Sequence, residues 1–135
     1  MKYKKAVFLG LVLGVFFLNV LYAAEAKYKS INPKELKIDK ESLKGKNVMF
    51  KDIFIGCTSY ASDMGKNLPR FKNYFSFNTG NAGMCFLEKK HKDLIMDLKR
   101  GDMIIIYGKV DSWNPGPGPR YDFFVDKIEK DEDGR

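Results

Sequence analysis

Histidine and cysteine are scarce in this chain, with one histidine and two cysteines among 135 residues. Protein zinc sites draw three or four ligands mainly from these residue types, so we predict no metal site. His91 lies among Lys89, Lys90 and Lys92, where positive charge makes it a poor ligand and a poor general base. A Ser-His-Asp triad is therefore not expected, and we predict no catalytic residue and no cofactor.

Long apolar runs are absent beyond the N-terminal segment, so we expect no later part of the chain to enter a membrane. The chain begins with a basic MKYKK, continues with apolar Ala6 to Leu18, and then carries small residues in Ala24-Glu25-Ala26. This pattern predicts a signal peptide over residues 1–26 and a mature protein that is periplasmic or secreted. An uncleaved anchor over residues 6–24 is the alternative, because about 20 apolar residues can span a bilayer.

Positive charge predominates, with a formal net charge of +7. The predicted signal peptide carries three lysines and one glutamate, which leaves 21 basic and 16 acidic residues and a net charge of +5. Such an excess favours anionic partners, although it also serves solubility. Hydrophobic residues make up 44% of the chain and aromatic residues 14%, which is enough for one core.

Runs of β-branched and aromatic residues predict five strands within one domain, residues 47–130. Before this domain, residues 27–46 are polar and basic and are predicted to form a lead-in. After it, residues 131–135 form a charged tail. The predicted strands are residues 47–56, 70–78, 84–88, 103–113 and 120–129.

The first predicted strand has an interrupted alternation. Val48 and Phe50 share one face, whereas Ile53 and Ile55 fall on the other. A β-bulge near Asp52 would return both pairs to the core, and we expect one there.

The second predicted strand alternates with a period of two, as a half-buried strand requires. Its core face is predicted to carry Phe71, Phe75 and Phe77. Its opposite face is predicted to carry Arg70, Lys72, Tyr74 and Ser76.

A short helix is predicted between the third and fourth strands, from the spacing of Leu94, Ile95 and Leu98 before Gly101. Three strands, one helix and two strands is the element order of the OB fold. The segments LKGKNVMF, LKRGDMIIIYGKVDSW and YDFFVDKIE resemble exported and nucleic-acid-binding OB domains of bacteria, including the anticodon-binding-like group, over roughly residues 43–130. This resemblance implies a mainly β, five-stranded OB-fold barrel with one short helix between the third and fourth strands, which follows the signal peptide predicted above.

The resemblance also implies a ligand surface on the second and third strands, flanked by the loops that join strands one to two and four to five. The residues at these positions are Lys66, Arg70, Lys72, Tyr74, Trp113, Arg120 and Tyr121. Aromatic planes stack on bases or sugars and cations hold phosphates, so this mixture suits a single-stranded nucleic acid or an oligosaccharide. Solvated cations beside aromatics that close the barrel end are the ordinary alternative.

The two cysteines, Cys57 and Cys85, lie at the end of the first predicted strand and in the third. Since an export signal implies an oxidising compartment, we expect a disulfide between them. It would close a loop of about 30 residues and add roughly 3 kcal/mol of stability. Two buried free thiols are the alternative.

These features favour an exported, non-catalytic OB-fold binding module for an extended anionic polymer or an oligosaccharide. Its partner would be a single-stranded nucleic acid, a glycan or an envelope protein. A structural or stress-related envelope protein that contacts other proteins is the second hypothesis. A metal-dependent secreted nuclease is the third, because Asp52, Asp63, Asp122 and Asp126 supply carboxylates, although no Arg or Glu pairs with them in a recognisable arrangement. The oligomeric state stays open.

Overall fold

A computed structural model describes residues 27–133. The predicted signal peptide, residues 1–26, lies outside this part of the chain, and so do residues 134–135. The six strands are β1 Lys29–Ser30, β2 Asn47–Thr58, β3 Tyr74–Thr79, β4 Gly83–Glu88, β5 Met103–Trp113 and β6 Arg120–Lys130. The helices are α1 Lys34–Ile38, α2 Tyr60–Gly65 and α3 Asp93–Met96, and the 3₁₀ segments are Glu41–Leu43, Pro69–Asn73 and Lys89–His91.

The strands form one closed, OB-like sheet in the order β1-β2-β3-β4-β6-β5, because β5 also pairs with β2. The five predicted strands correspond to β2 through β6, which confirms the mainly β assignment. β4 and β6 are parallel, and the other pairs among these five strands are antiparallel. α3 lies between β4 and β5 in the chain, as the sequence predicts. No helix within residues 27–133 is long and apolar enough to cross a membrane.

The interior of the closed sheet is filled by one side of each strand. Ile104, Ile106 and Val110 of β5 are fully buried there, as their alternation predicts. Phe50 of β2 meets Phe123 of β6 with ring centroids 5.3 Å apart. Aromatic and branched side chains of this size supply most of the apolar area that stabilises a small fold.

The bulge expected near Asp52 does not occur at that residue. β2 alternates without interruption through this region, so that Asp52 is buried at 2% exposure while Ile53 faces outward at 38%. The register shift occurs later, between Phe54 and Gly56. The Asp52 carboxylate is tolerated inside because four backbone or side-chain N–H groups donate to it, from Ile53, Asn81 and Ala82.

The predicted lead-in, residues 27–46, is an integral part of the fold. β1 pairs in parallel with β2, and the following turn and helix place Ile31, Leu36 and Leu43 in the main core. The division between a lead-in and a domain at residue 47 is therefore not reflected in the packing.

The second predicted strand begins four residues later than its alternation indicates. Pro69 opens a 3₁₀ segment that continues to Asn73, because proline fits the first position of a helical turn. Phe71 is consequently not on the interior face with Phe77. It is fully buried on the opposite side of the sheet. Within the strand itself, Phe75 and Phe77 do contact the main core as predicted.

The expected disulfide is wrong for this structure, in which both cysteines are free thiols. Cys57 lies opposite Phe77 on β3, and Phe77 lies opposite Cys85 on β4. Two strand spacings amount to about 10 Å, whereas disulfides require Cα atoms within about 7 Å. Cys85 is fully buried and Cys57 is exposed, so the alternative of two buried thiols holds only for Cys85.

Candidate ligand-binding surfaces

The connection between β2 and β3 covers the outer face of the sheet. We call residues 59–73 the cap segment, which contains α2 and the Pro69–Asn73 turn. It packs Ala61 and Phe71 against Phe86, and all three side chains are fully buried. The partly buried side chains around them are Tyr60, Met64, Leu68, Tyr74, Met84, Trp113 and Phe124. The outer face of β3 and β4 is therefore covered by this second apolar cluster.

Ser76 on β3 fixes the start of the cap segment to the sheet. Its hydroxyl accepts a 2.9 Å hydrogen bond from the backbone N–H of Ala61 and donates to the carbonyl of Thr58 at 3.2 Å. The Thr58 hydroxyl lies 2.7 Å away. Ser76 is 1% exposed, although its position on the polar face of the strand suggests solvent. A buried hydroxyl with these partners holds the segment in place.

Arg70 and Tyr74, two of the predicted ligand residues, are engaged with neighbouring side chains. The Arg70 guanidinium forms a 3.1 Å ion pair with Asp111 and lies 4.9 Å from the ring centroid of Phe124. The Tyr74 ring meets Phe124 edge-on at 5.4 Å. Burial raises the pKa of the Tyr74 phenol, and the Glu88 carboxylate raises it further. Tyr74 and Phe124 therefore belong to a packed aromatic cluster, and the Arg70–Asp111 ion pair lies at its edge.

Trp113 and Arg120 meet at a buried carboxylate. The indole Nε1 of Trp113 donates to Asp122 at 2.6 Å, and the Arg120 Nε lies 3.3 Å from the same oxygen. The Trp113 ring packs edge-on against Phe71 at 4.8 Å, while the Arg120 guanidinium lies 5.3 Å from the ring centroid of Tyr60. The structure thus brings Trp113 and Arg120 together with Arg70 and Tyr74 around the cap segment.

Tyr121 is separate from this group. Its side chain points to the opposite side of β6 and packs against the main core. Its hydroxyl donates to Glu41 at 3.4 Å. Burial raises the pKa of this phenol, and so does the negative charge of Glu41. Tyr121 therefore does not share a surface with Trp113 and Arg120.

Lys66 and Lys72 converge with a lysine that the sequence does not single out as a ligand residue. Together with Lys89 they line a pocket of about 290 Å³, which we call the lysine pocket. Its other lining residues are Ser62 and Gly65, so none of the described carboxylates lines it. Gly65 lies against the backbone of the Pro69–Asn73 turn, where an added Cβ would be 3.2 Å from Lys72 Cα.

The carboxylates considered for a nuclease are dispersed and have other partners. Asp52 binds the β3–β4 turn, and Asp126 accepts a 2.9 Å hydrogen bond from Tyr28. Asp122 binds Trp113 and also pairs with Arg120, so the expectation that no arginine pairs with these carboxylates is wrong for Asp122. Asp63 pairs with Lys66 at 3.5 Å. Within residues 27–133, no group of three or more His, Cys, Asp or Glu side chains is placed to hold a metal ion.

Comparisons with known proteins add evidence on the fold. No protein-family model matches the chain, and no curated protein sequence matches it. Among solved structures, a putative aspartyl-tRNA synthetase from Leishmania major Friedlin is similar over 76% of this chain, with a TM-score of 0.52 and 10% identity. The asparaginyl-tRNA synthetase of Entamoeba histolytica, in complex with asparaginyl-adenylate, is similar over 75% at a TM-score of 0.45 and 14% identity. OBody AM3L09, bound to hen egg-white lysozyme, is similar over 66% of this chain and 84% of its own, at a TM-score of 0.46 and 16% identity.

The likeness to the aspartyl-tRNA synthetase extends to the fold and no further. This chain covers 20% of that synthetase and 22% of the asparaginyl enzyme. At such identities a shared fold does not carry a shared activity. Topology and likeness together define the class: a mainly β protein with a closed, OB-like sheet.

Proposed function

We propose that this protein is an exported, non-catalytic OB-fold barrel that binds single-stranded nucleic acid along a lysine-lined edge of the cap segment. Three features support the proposal. The mature chain has a net charge of +5. Its fold resembles part of a tRNA synthetase. Its lysine pocket brings together Lys66, Lys72 and Lys89, of which Lys66 also pairs with Asp63 at 3.5 Å.

The lysine pocket is the observation on which the proposal depends. Lys66 follows α2, Lys72 belongs to the Pro69–Asn73 turn, and Lys89 follows β4, so three separate elements contribute one cation each. Clustered ammonium groups repel one another, and a phosphate bound between them relieves that repulsion. Contacts to phosphate supply most of the sequence-independent affinity for nucleic acid.

The ligand path follows from what the cap segment covers. In OB folds the usual contact surface is the outer face of the second and third strands, which here is the outer face of β3 and β4. The cap segment occupies that face, so we place the polymer along its margin. A second depression beside Lys89 is lined by Asn73, Lys90 and Glu88, and Glu88 pairs with Lys90 at 3.2 Å there. The basic margin therefore ends at Lys89.

The test is binding of fluorescent single-stranded DNA and RNA to the purified protein across a range of salt concentrations. The logarithm of the binding constant falls linearly with the logarithm of the salt concentration. For a single strand, each phosphate neutralised by a protein cation adds about 0.7 to the magnitude of that slope. The triple variant Lys66→Ala/Lys72→Ala/Lys89→Ala should therefore make that slope shallower by about 2. The matched control is Lys34→Ala/Lys37→Ala/Lys46→Ala, which removes the same charge from exposed positions elsewhere.

Equal reductions of affinity in the two triple variants would contradict the lysine pocket as the site. Absence of binding at low salt would contradict nucleic acid as the ligand and would direct the search to glycans and envelope proteins. Cleavage of the oligonucleotide is monitored in the same samples. Cleavage that requires a divalent metal ion would contradict the non-catalytic part of the proposal. Export predicts that the secreted chain begins at Lys27, which N-terminal mass analysis would test.

A further inference from the structure

A second cavity lies on the other side of β3 from the cap segment, beside α3. Its volume is about 570 Å³, within the usual range for small-molecule sites. Six apolar side chains line it: Phe54, Ile55, Phe75, Ile95, Met96 and Leu98. None of the residues of the lysine pocket lines this cavity, so it is a separate site.

The cavity exists because two elements stop short of filling it. α3 has only four residues, which places Ile95 at 8% exposure against the core but leaves Met96 at 68%. On the facing wall, the register of β2 shifts between Phe54 and Gly56. An added Cβ at Gly56 would meet no atom within 4 Å, so this part of the wall is open.

Positive charge is placed beside this apolar lining. Lys92 and Arg100 both contribute to the cavity wall, and no described carboxylate does. Among residues 27–133, neither cation forms an ion pair. An apolar interior with unpaired cations is complementary to a molecule that has an apolar chain and an anionic end.

We propose that this cavity binds an amphipathic anion with a single apolar chain, the chain lying against Phe54, Phe75 and Leu98 and the anionic end between Lys92 and Arg100. Burial of the chain supplies affinity in proportion to the apolar area removed from water. The cations supply selectivity for a negative head group, because a neutral or positive head cannot form the charge-assisted pair.

The test uses four probes with the same twelve-carbon chain, each below its micelle concentration, and calorimetry on the purified protein. Dodecanoate and dodecyl phosphate should bind with one-to-one stoichiometry, and the stronger of the two identifies the preferred head group. Dodecanol should bind about tenfold more weakly, and dodecyltrimethylammonium more weakly still. Binding of dodecyltrimethylammonium as tightly as dodecanoate would overturn the proposal, and so would the absence of saturable dodecanoate binding.

Two further measurements locate the site. The variant Lys92→Ala/Arg100→Ala should weaken dodecanoate about tenfold and leave dodecanol unchanged, whereas Lys34→Ala/Lys37→Ala should change neither. Cys57 lines the cavity, so saturating dodecanoate should slow its alkylation several-fold. An unchanged alkylation rate at saturation would place the probe elsewhere and overturn the assignment. Since neither measurement involves the lysine pocket, a failure here leaves the proposed nucleic-acid function to its own test.

Discussion

The carboxylate of Asp52 accepts a 2.8 Å hydrogen bond from the backbone N–H of Ala82, which lies thirty residues further along the chain. The same carboxylate accepts the backbone N–H of Asn81 at 2.9 Å and its side-chain amide at 3.1 Å. Asp52 therefore fixes the turn between β3 and β4 to the neighbouring strand β2. A buried carboxylate can perform this task only when its oxygens are fully paired.

Replacement of Asp52 tests this role. Asp52→Ala leaves the N–H groups of the turn without acceptors inside the protein and should lower the free energy of unfolding by about 3 kcal/mol. Asp52→Asn keeps one acceptor oxygen and should cost less. Urea unfolding measures both, and Asp97→Ala, at an exposed position, is the control with a change near zero. A decrease below about 1 kcal/mol for Asp52→Ala would contradict the role.

The strands could be predicted where local pattern and final burial agree. Ile104, Ile106 and Val110 alternate on one strand and are buried together, because a period of two fixes the face without reference to distant residues. Asp52 departs from the rule because its burial depends on donors thirty residues away. The sequence pattern gives the apolar Ile53 more weight than the Asp52 carboxylate. The predicted bulge therefore falls earlier in β2 than the register shift between Phe54 and Gly56.

For the candidate site, the sequence predicts the types of residue present but not how they are arranged in space. The alternation of Phe71 with Phe75 and Phe77 suggests one face, but the turn that begins at Pro69 places Phe71 on the other side of the sheet. The cap segment covers the outer face of β3 and β4 through contacts between residues that are distant in the sequence. No local pattern in the sequence predicts such contacts. The approach of Lys89 to Lys72 likewise depends on the pairing of β3 with β4.

Gly108 in β5 is predicted to be nearly irreplaceable. A Cβ there would overlap the carbonyl oxygen of Phe124 and would lie 2.6 Å from the ring of Phe123. The register between β5 and β6 shifts at this residue, and such shifts bring backbones close. Gly108→Ala should therefore lower the free energy of unfolding by about 3 kcal/mol or prevent folding.

Gly80→Ala is the matched control for that substitution. Its Cβ would lie 3.5 Å from the Asp52 carboxylate, an ordinary contact distance, so its effect should stay below about 1 kcal/mol. Thermal unfolding of the two variants provides the comparison. Similar stabilities would show that the close approach of β6 to Gly108 does not exist in solution.

The two thiols should differ in reactivity. Burial raises the pKa of the Cys57 thiol above its ordinary value, and burial raises the pKa of Cys85 to about 12. Because the thiolate is the nucleophile, a raised pKa lowers the reactive fraction at any pH below it. Cys57 should react with iodoacetamide more slowly than free cysteine at pH 8, and the midpoint of its pH profile should lie above that of free cysteine. Cys85 should react only in denaturant.

Mass spectrometry of the alkylated peptides measures both rates in one experiment. Non-reducing analysis of the purified protein provides the second check, since Cys57 and Cys85 are both free thiols in the structure. Recovery of a disulfide-linked peptide pair would contradict the arrangement in which β3 separates the two strands.

We expect the contacts of Phe71 to couple unfolding of the cap segment to unfolding of the whole domain. Its ring is fully buried, with centroids 4.8 Å from Trp113 and 5.1 Å from Phe86. Phe71→Ala should lower the free energy of unfolding by about 3 kcal/mol or more, because a cavity remains between the segment and the sheet. Trp113 is the only tryptophan, so its fluorescence during urea unfolding follows this cluster directly.

Limited proteolysis distinguishes the two ways in which Phe71→Ala can act. If the cap segment folds together with the sheet, cleavage within residues 59–73 should increase only as global stability falls. If the segment can open separately, cleavage there should increase while the urea midpoint stays near that of the unmodified protein, since local opening requires less free energy than global unfolding. The exposed Ile38→Ala, at 83% exposure, is the control for both measurements. No change in either would mean that Phe71 does not bind the segment to the sheet in solution, and the outer face of β3 and β4 would again be open to a ligand.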